Sequence, residues 1–212
     1  VGPNGWYISE GGAGLPDNTT IGMSVYTSGT LAWNFFQMTN PTTQWQQWTF
    51  VYDGSQATAA NRVKAYRFGN NLAPASSGTL PTTLPAQTEP FSLGHQQTDG
   101  TQWMNGKVAE VAIWNVALTA NEAAQLGAGR HVTKIRPASL QLYWPCYGLL
   151  SPEPDYSGTA LSMSLVSTPA LANHCSGEMF NPFSQQGYTQ ALDIPDASDN
   201  QKWISLKMAP IP

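Results

Sequence analysis

Charge is scarce in this chain. Only 10% of its 212 residues are Asp, Glu, Lys or Arg, against roughly a quarter in an ordinary soluble domain. Nine Lys and Arg against thirteen Asp and Glu leave a net charge of -4, which offers no electrostatic footprint for nucleic acid or anionic lipid. Both are therefore excluded as expected partners. One basic cluster, "RHVTKIR" at residues 130–136, suits a solvated face or linker better than a phosphate site. Long apolar runs are missing too, so no membrane span is expected. The opening "VGPNGWYISE" has neither an initiator Met nor the apolar stretch of a signal peptide, as in a mature or incomplete chain. Cysteine is limited to Cys146 and Cys175. A disulfide between them and two free buried thiols both fit that spacing, so the compartment stays open.

Several chemistries lack their residues. No Gly-x-Ser-x-Gly elbow, Cys-x-x-Cys pair or complete phosphate-cradling glycine loop occurs, and "SEGGAGLP" has no Lys or helix to finish one. His95, His131 and His174 are scattered, which reads as isolated surface or turn histidines instead of a triad or zinc site.

Thr, Ser, Gln, Asn and Gly fill the place of charge, while 41% apolar residues suffice for a real core. From Gly5 to Ile113 the pattern is strand, turn, strand. "GWYISE", "TTIGMSVYTSG", "TLAWNFFQM", "WQQWTFVYDG" and "NRVKAYRFGNN" are rich in aromatic and β-branched residues, with turns expected at Ser28-Gly29, Asp53-Gly54 and Gly69-Asn70. On the "WQQWTFVYDG" strand, Trp48, Phe50 and Tyr52 alternate onto one core face. "LAPASSGTLPTTLPAQTEP" reads as an irregular surface crossing, because Pro74, Pro81, Pro85 and Pro90 deny it ladder donors. "FSLGHQ" and "GKVAEVAIWN" complete the strand series. One helix is expected, at residues 119–127, opened by a Thr119/Glu122 capping box and stopped by Gly127 and Gly129. The whole argues for an all-β fold, a two-sheet antiparallel jelly-roll sandwich with one short helix after the last core strand.

"WQQWTFVYDG", "VKAYRFGN" and "FSLGHQQTDGTQWMNGKVAEVAIWNVALTANEAAQLGAG" together resemble the laminin-G-like, concanavalin A-like jelly-roll family over about residues 5–130. The closing strand-helix unit is the most specific part of the likeness. Against the family pattern, the first strands are absent, so the chain begins inside the domain or obtains those strands from elsewhere. Ala109 stands where the family places Asp, which removes a carboxylate from a place where some members bind Ca²⁺. "SLQLYWPCYGLLSPEPDYSG", residues 139–158, has a family look as well. The expected division is a jelly-roll domain at 1–138 and a C-terminal extension at 139–212, an arm packed on the domain or a neighbour.

Glycosidases of this general fold set carboxylates on one strand face, about 5 Å apart for a retaining mechanism. Here Glu110 stands alone, with Val108, Ala112 and Trp114 expected on its own face, and reads as a structural polar residue hydrogen-bonded near the end of the last strand. Glu153-Pro-Asp155 has a proline inside it and no third acid. Asp193, Asp196, Asp199 and Asn200 in "DIPDASDN" could ligate Ca²⁺ or simply mark turns. Trp45 and Trp103, in loop-like stretches, are the candidates for sugar stacking, and "NTT" at Asn18 is a glycosylation sequon. These features point first to a non-catalytic module of an extracellular or virion surface. It would decorate or adhere by packing against other protein subunits, in an oligomer or larger complex. A carbohydrate-binding, lectin-like domain that recognises glycans is the alternative, and a glycoside hydrolase comes third.

Overall fold

The computed structural model describes residues 4–10, 19–38, 45–86, 91–94, 104, 106–147, 150–165, 170–172, 191–194 and 202–209. Thirteen strands run along these residues: β1 (Gly5–Glu10), β2 (Thr20–Thr27), β3 (Thr30–Gln37), β4 (Gln47–Tyr52), β5 (Val63–Arg67), β6 (Asn70–Leu72), β7 (Pro74–Ser77), β8 (Gly106–Val108), β9 (Val111–Trp114), β10 (Leu140–Trp144), β11 (Ala170–Ala172), β12 (Ala191–Ile194) and β13 (Lys202–Ala209). A four-stranded sheet has the order β1-β2-β3-β7. A nine-stranded sheet runs β11-β12-β8-β13-β4-β5-β6, with β9 paired to β13 and β10 beyond it. One helix, α1 (Ala120–Gly127), follows β9. This is the all-β jelly-roll sandwich expected from the sequence.

Why these residues pair is visible in the turns. Ser28 and Gly29 take φ values of 48° and 85° between Thr27 and Thr30, which face each other across β2 and β3. Two consecutive left-handed residues match the twist of a tight hairpin. The next hairpin turns on Phe68 and Gly69, φ 47° and 78°, one residue before the position expected, so Asn70 belongs to β6 opposite Arg67.

Alternation then distributes the side chains. Ile21, Met23 and Val25 of β2 and Phe36 of β3 meet Trp48, Phe50 and Tyr52 of β4 and Val63 and Ala65 of β5 between the two sheets. Burying each large side chain contributes about 1.5–3 kcal/mol. The opposite face of the larger sheet is covered too. Val51 and Tyr66 pack there with Ala112, Trp114 and Tyr143 under Ala123 and Leu126 of α1 and Val132 and Ile135 of the segment after it. β4 is accordingly buried along its whole length.

α1 is built as its sequence dictates at the start. Thr119 caps it, accepting from the Glu122 amide, while the Glu122 carboxylate accepts from the Thr119 amide at 2.7 Å. Its end differs from expectation. Gly129, at φ 89°, is the left-handed residue, whereas Gly127 is the last residue of the helix and lies against the backbone of the Phe68-Gly69 turn.

Two further expectations are corrected. The proline-rich crossing is no mere surface loop: Pro74–Ser77 forms β7 on the edge of β3, and Leu80 and Leu84 are buried. Pro74, as the first residue of an edge strand, removes little from the ladder. The strand around Glu110 is broken into β8 and β9, because Glu110 is left-handed at φ 57°. That break shifts the alternation by one, so Val108 packs with Val111 and Ile113 instead of with Ala112 and Trp114. The segment that follows residue 138 packs directly on the sandwich. β10 pairs antiparallel with β9, Leu142 and Trp144 enter the cluster of Val111 and Ile113, and Leu140 and Tyr143 enter the outer one.

Candidate functional site

The break at Glu110 creates a polar cluster in the larger sheet. Its amide donates to the Pro145 carbonyl at 3.1 Å, which holds the left-handed turn against the end of β10. Its carboxylate accepts from the Tyr143 hydroxyl at 2.7 Å, and that hydroxyl lies 3.2 Å from Nε2 of His131. The His131 and Tyr143 rings meet edge to face, 5.3 Å apart. On the other side of the imidazole, Nδ1 accepts from the Thr133 amide and lies 2.9 Å from its hydroxyl.

Nδ1 accepts from the Thr133 amide, an arrangement that matches the tautomer with its hydrogen on Nε2, which donates to Tyr143. Tyr143 in turn donates to Glu110. The chain Thr133, His131, Tyr143, Glu110 therefore runs one way and ends on the carboxylate. Burial, and then the adjacent Glu110 charge, push the Tyr143 hydroxyl above its ordinary pKa, so it stays a donor. Sequence reasoning read His131 as an isolated histidine. Its partners lie on other elements, and local spacing carries no signal for such a pairing.

The other described carboxylates near this end serve as cross-links. Glu153 is 1% exposed and accepts from the Tyr147 amide at 2.9 Å. Asp155 accepts from the amides of Tyr143, Ser157 and Leu161 and from the Ser157 hydroxyl, all at 2.8–3.1 Å. Burial opposes its charge. Donors from Ser157, Tyr143 and Thr159 outweigh that and hold the carboxyl below its ordinary value. Tyr156, next to Asp155 in the chain, is 52% exposed and stands edge to face with Tyr143, 6.3 Å away. It is an open aromatic surface beside a hydrogen-bonded polar cluster.

A shallow cleft opens at the far end of β4, between the Asp53–Ser55 turn and Thr82 and Thr83. Asp53 lines it, and its carboxylate accepts from the Ser55 amide and hydroxyl and from Gln56. Those bonds, the Ser55 hydroxyl's first, hold it below its ordinary pKa. A third surface is apolar. Trp6 packs on Phe91 at 6.1 Å and Phe91 on Trp144 at 5.7 Å, with Phe91 itself 41% exposed.

The remaining sequence candidates are dispersed. Trp45 is half-buried just ahead of β4, and Trp103 lies outside the described residues. Asp193 sits in β12 opposite Lys107, while Asp196, Asp199 and Asn200 lie outside the described residues. Among the described residues no group of three His, Cys, Asp or Glu is placed to hold a metal ion. Cys146 is buried, its thiol directed at the Trp144 carbonyl at 3.5 Å, and Cys175 lies outside the described residues. His95, His174 and Asn18 also lie outside them.

Neither a curated protein nor a solved structure matches the chain. A laminin G family model, described as the concanavalin A-like lectin/glucanases superfamily, matches residues 2–124. That match covers β1 through most of α1, the same stretch that builds the facing sheets and the capped helix, and the chain belongs to the concanavalin A-like lectin/glucanase superfamily.

Proposed function

We propose that this domain is a non-catalytic jelly-roll surface module that acts by packing against other protein subunits, as a decoration, fibre or adhesion component of a virion or extracellular surface. One observation carries the reading. Five described carboxylates, Asp53, Glu110, Glu122, Glu153 and Asp155, each accept hydrogen bonds that hold the fold together. A retaining glycosidase needs two carboxyl groups about 5 Å apart, flanking a bond in a solvent-reachable groove. Carboxylates committed to turns, a helix cap and strand cross-links are poorly placed to shuttle protons. The low-charge, amide- and hydroxyl-rich surface favours contact between protein faces with little electrostatic repulsion.

Incubation with a broad panel of oligosaccharides tests the catalytic half of the proposal, and no reducing ends should appear. Hydrolysis that disappears in Glu110→Gln would overturn it. Glycan recognition is the second reading, favoured by exposed Tyr156 beside Tyr143, His131 and Glu110. A glycan array read with and without Ca²⁺ separates the two. Binding that is lost in Tyr156→Ala selects the lectin reading.

A further inference from the structure

The cleft at the far end of β4 is small, and its polar groups are mostly acceptors. Its volume is about 160 Å³, comparable with the ~150 Å³ cavity that takes a single benzene ring and below the ~300–1,000 Å³ of pockets for larger ligands. It suits the end of one side chain. Its walls are fixed before anything enters. The Tyr52 hydroxyl donates to the Pro81 carbonyl at 2.5 Å, and the Arg62 guanidinium donates to the Leu80 carbonyl. Leu80 and Leu84 are buried on either side of the Thr82-Thr83 wall. Gly54 lies so close to that wall that a Cβ would stand 1.8 Å from the Thr82 carbonyl oxygen. On the turn itself the Asp53 amide donates to the Arg62 carbonyl at 2.7 Å. A site held in this way loses little freedom when it is filled.

The hydrogens of the cleft are already committed. The Ser55 hydroxyl donates to Asp53 at 2.6 Å, so it has only lone pairs to offer a ligand. Tyr52 has directed its hydroxyl hydrogen to Pro81 in the same way. The Asp53 carboxylate accepts from the Ser55 amide, the Ser55 hydroxyl and Gln56, of the roughly four donors that its two oxygens can take. Room for one more donor is left, on a group whose orientation those bonds set. The same bonds keep the carboxyl below its ordinary pKa, so the charge is present at neutral pH. Thr82 and Thr83 are exposed, and their hydroxyls can take either role.

Nearby cations do not neutralise that charge by contact. Arg62 directs its guanidinium to the carbonyls of Gln56, Leu80 and Ala57. Lys64, opposite Val51 on β5, acts on Asp53 through its field alone, the smallest of the influences on that carboxyl. A ligand for this cleft therefore brings donors and positive charge. Guanidinium fits better than ammonium, because it is planar, weakly hydrated and carries five donors in a rigid fork. The exposed Ala117 and the methyl groups of Thr82 and Thr83 give its faces and stem an apolar lining. Arginine is also the charged residue enriched where protein faces meet.

We propose that the cleft between the Asp53–Ser55 turn and Thr82-Thr83 receives the guanidinium of an arginine side chain from a partner protein, with Asp53 as its counter-charge. The proposal rests on the packing reading above and names the chemistry of the partner. An exposed ion pair between two mobile side chains contributes little. Here the carboxylate is fixed in advance and the walls supply further acceptors, so only the incoming side chain is ordered.

The test follows the backbone amide signals of isotope-labelled full-length protein during titration with N-acetyl-arginine amide. A parallel titration uses N-acetyl-citrulline amide, which keeps the shape without the charge. The arginine compound should shift the Gly54, Ser55, Thr82 and Thr83 signals saturably, with a millimolar dissociation constant, and the citrulline compound should bind about tenfold more weakly. Asp53→Asn keeps an acceptor for the Ser55 amide and should abolish the arginine shifts. Thr82→Val combined with Thr83→Val should weaken binding several-fold at an unchanged unfolding midpoint, and it carries the test if Asp53→Asn does not fold. The proposal is overturned by the lack of a saturable shift at these residues, by equal binding of the two compounds, or by arginine binding that the variants leave unchanged. Any of these leaves the packing reading standing, whereas glycan hydrolysis would sink that reading without touching the arginine site.

Discussion

Glu110 adopts a conformation that costs a side chain other than glycine about 1–2 kcal/mol, and what it places is a carboxylate under the hydroxyl of Tyr143. Such an outlier persists only where its surroundings determine it. Here the Pro145 carbonyl, Tyr143 and His131 do so together. Tyr143→Phe removes the donor to Glu110 and the acceptor of His131 at once. It should destabilise the protein by about 1–3 kcal/mol, read as a lower urea midpoint with an unchanged slope. Glu110→Gln should overlap with it, so the double variant falls short of the sum by about 1 kcal/mol. Full additivity would mean that the two side chains are not coupled. Sequence could supply the question about Glu110 and the expectation of a structural role, but not this answer. Glu110 and Tyr143 are 33 positions apart, and Tyr143 and His131 are 12. Left-handed residues announce themselves as Gly or Asn, and Glu does not.

At the scale of elements, α1 displays a competition between propensity and packing. Alanine normally improves a helix interior over glycine by about 1 kcal/mol. At Gly127 a Cβ would stand 2.1 Å from the Gly69 nitrogen and 2.2 Å from the Phe68 carbonyl carbon, both backbone atoms of the β5–β6 turn. The helix can accept it only by moving off the sheet. Gly127→Ala should therefore destabilise by about 1–3 kcal/mol, the range of overpacked sites, and thermal denaturation should show a lower midpoint. A raised midpoint would mean that the helix shifts off the Phe68-Gly69 turn at little cost. The elements written in local chemistry were readable beforehand: the Thr119/Glu122 cap, the Ser28-Gly29 hairpin and the alternation of Trp48, Phe50 and Tyr52. Less readable were those decided by neighbours. β7 hides in a proline-rich stretch because only its first residue must dispense with a ladder amide. The parity of β8 against β9 follows from one backbone angle, and β10 belongs to the sandwich because Trp144 and Leu142 find β9.

Across the whole molecule, few charges mean that pH should act through a handful of carboxyl groups instead of a general field. Among the described residues one ion pair occurs, Arg136 with Glu122, and 39% of the Arg136 side chain is exposed. Such a pair contributes about 0–1 kcal/mol, so added salt at neutral pH should move the unfolding midpoint little. The carboxyls themselves carry the larger effect. Asp53 is lowered foremost by the Ser55 hydroxyl. Glu122 is lowered against its burial by Arg136 and Thr119, and Asp155 against its burial by Ser157, Tyr143 and Thr159. A group whose pKa is lower folded than unfolded favours the folded state while it is ionised in both. That contribution is complete above the ordinary carboxylate value near 4 and is lost as pH falls through the lowered folded values. Stability should thus decline below about pH 4, measured as urea midpoints at stepped pH. Asp155→Asn isolates the part of one of these groups. It keeps an acceptor for the Tyr143 and Ser157 amides but cannot titrate, so it should start less stable at neutral pH and lose less on acidification. Parallel declines for the variant and the parent would show that the Asp155 cross-link does not contribute to the acid response.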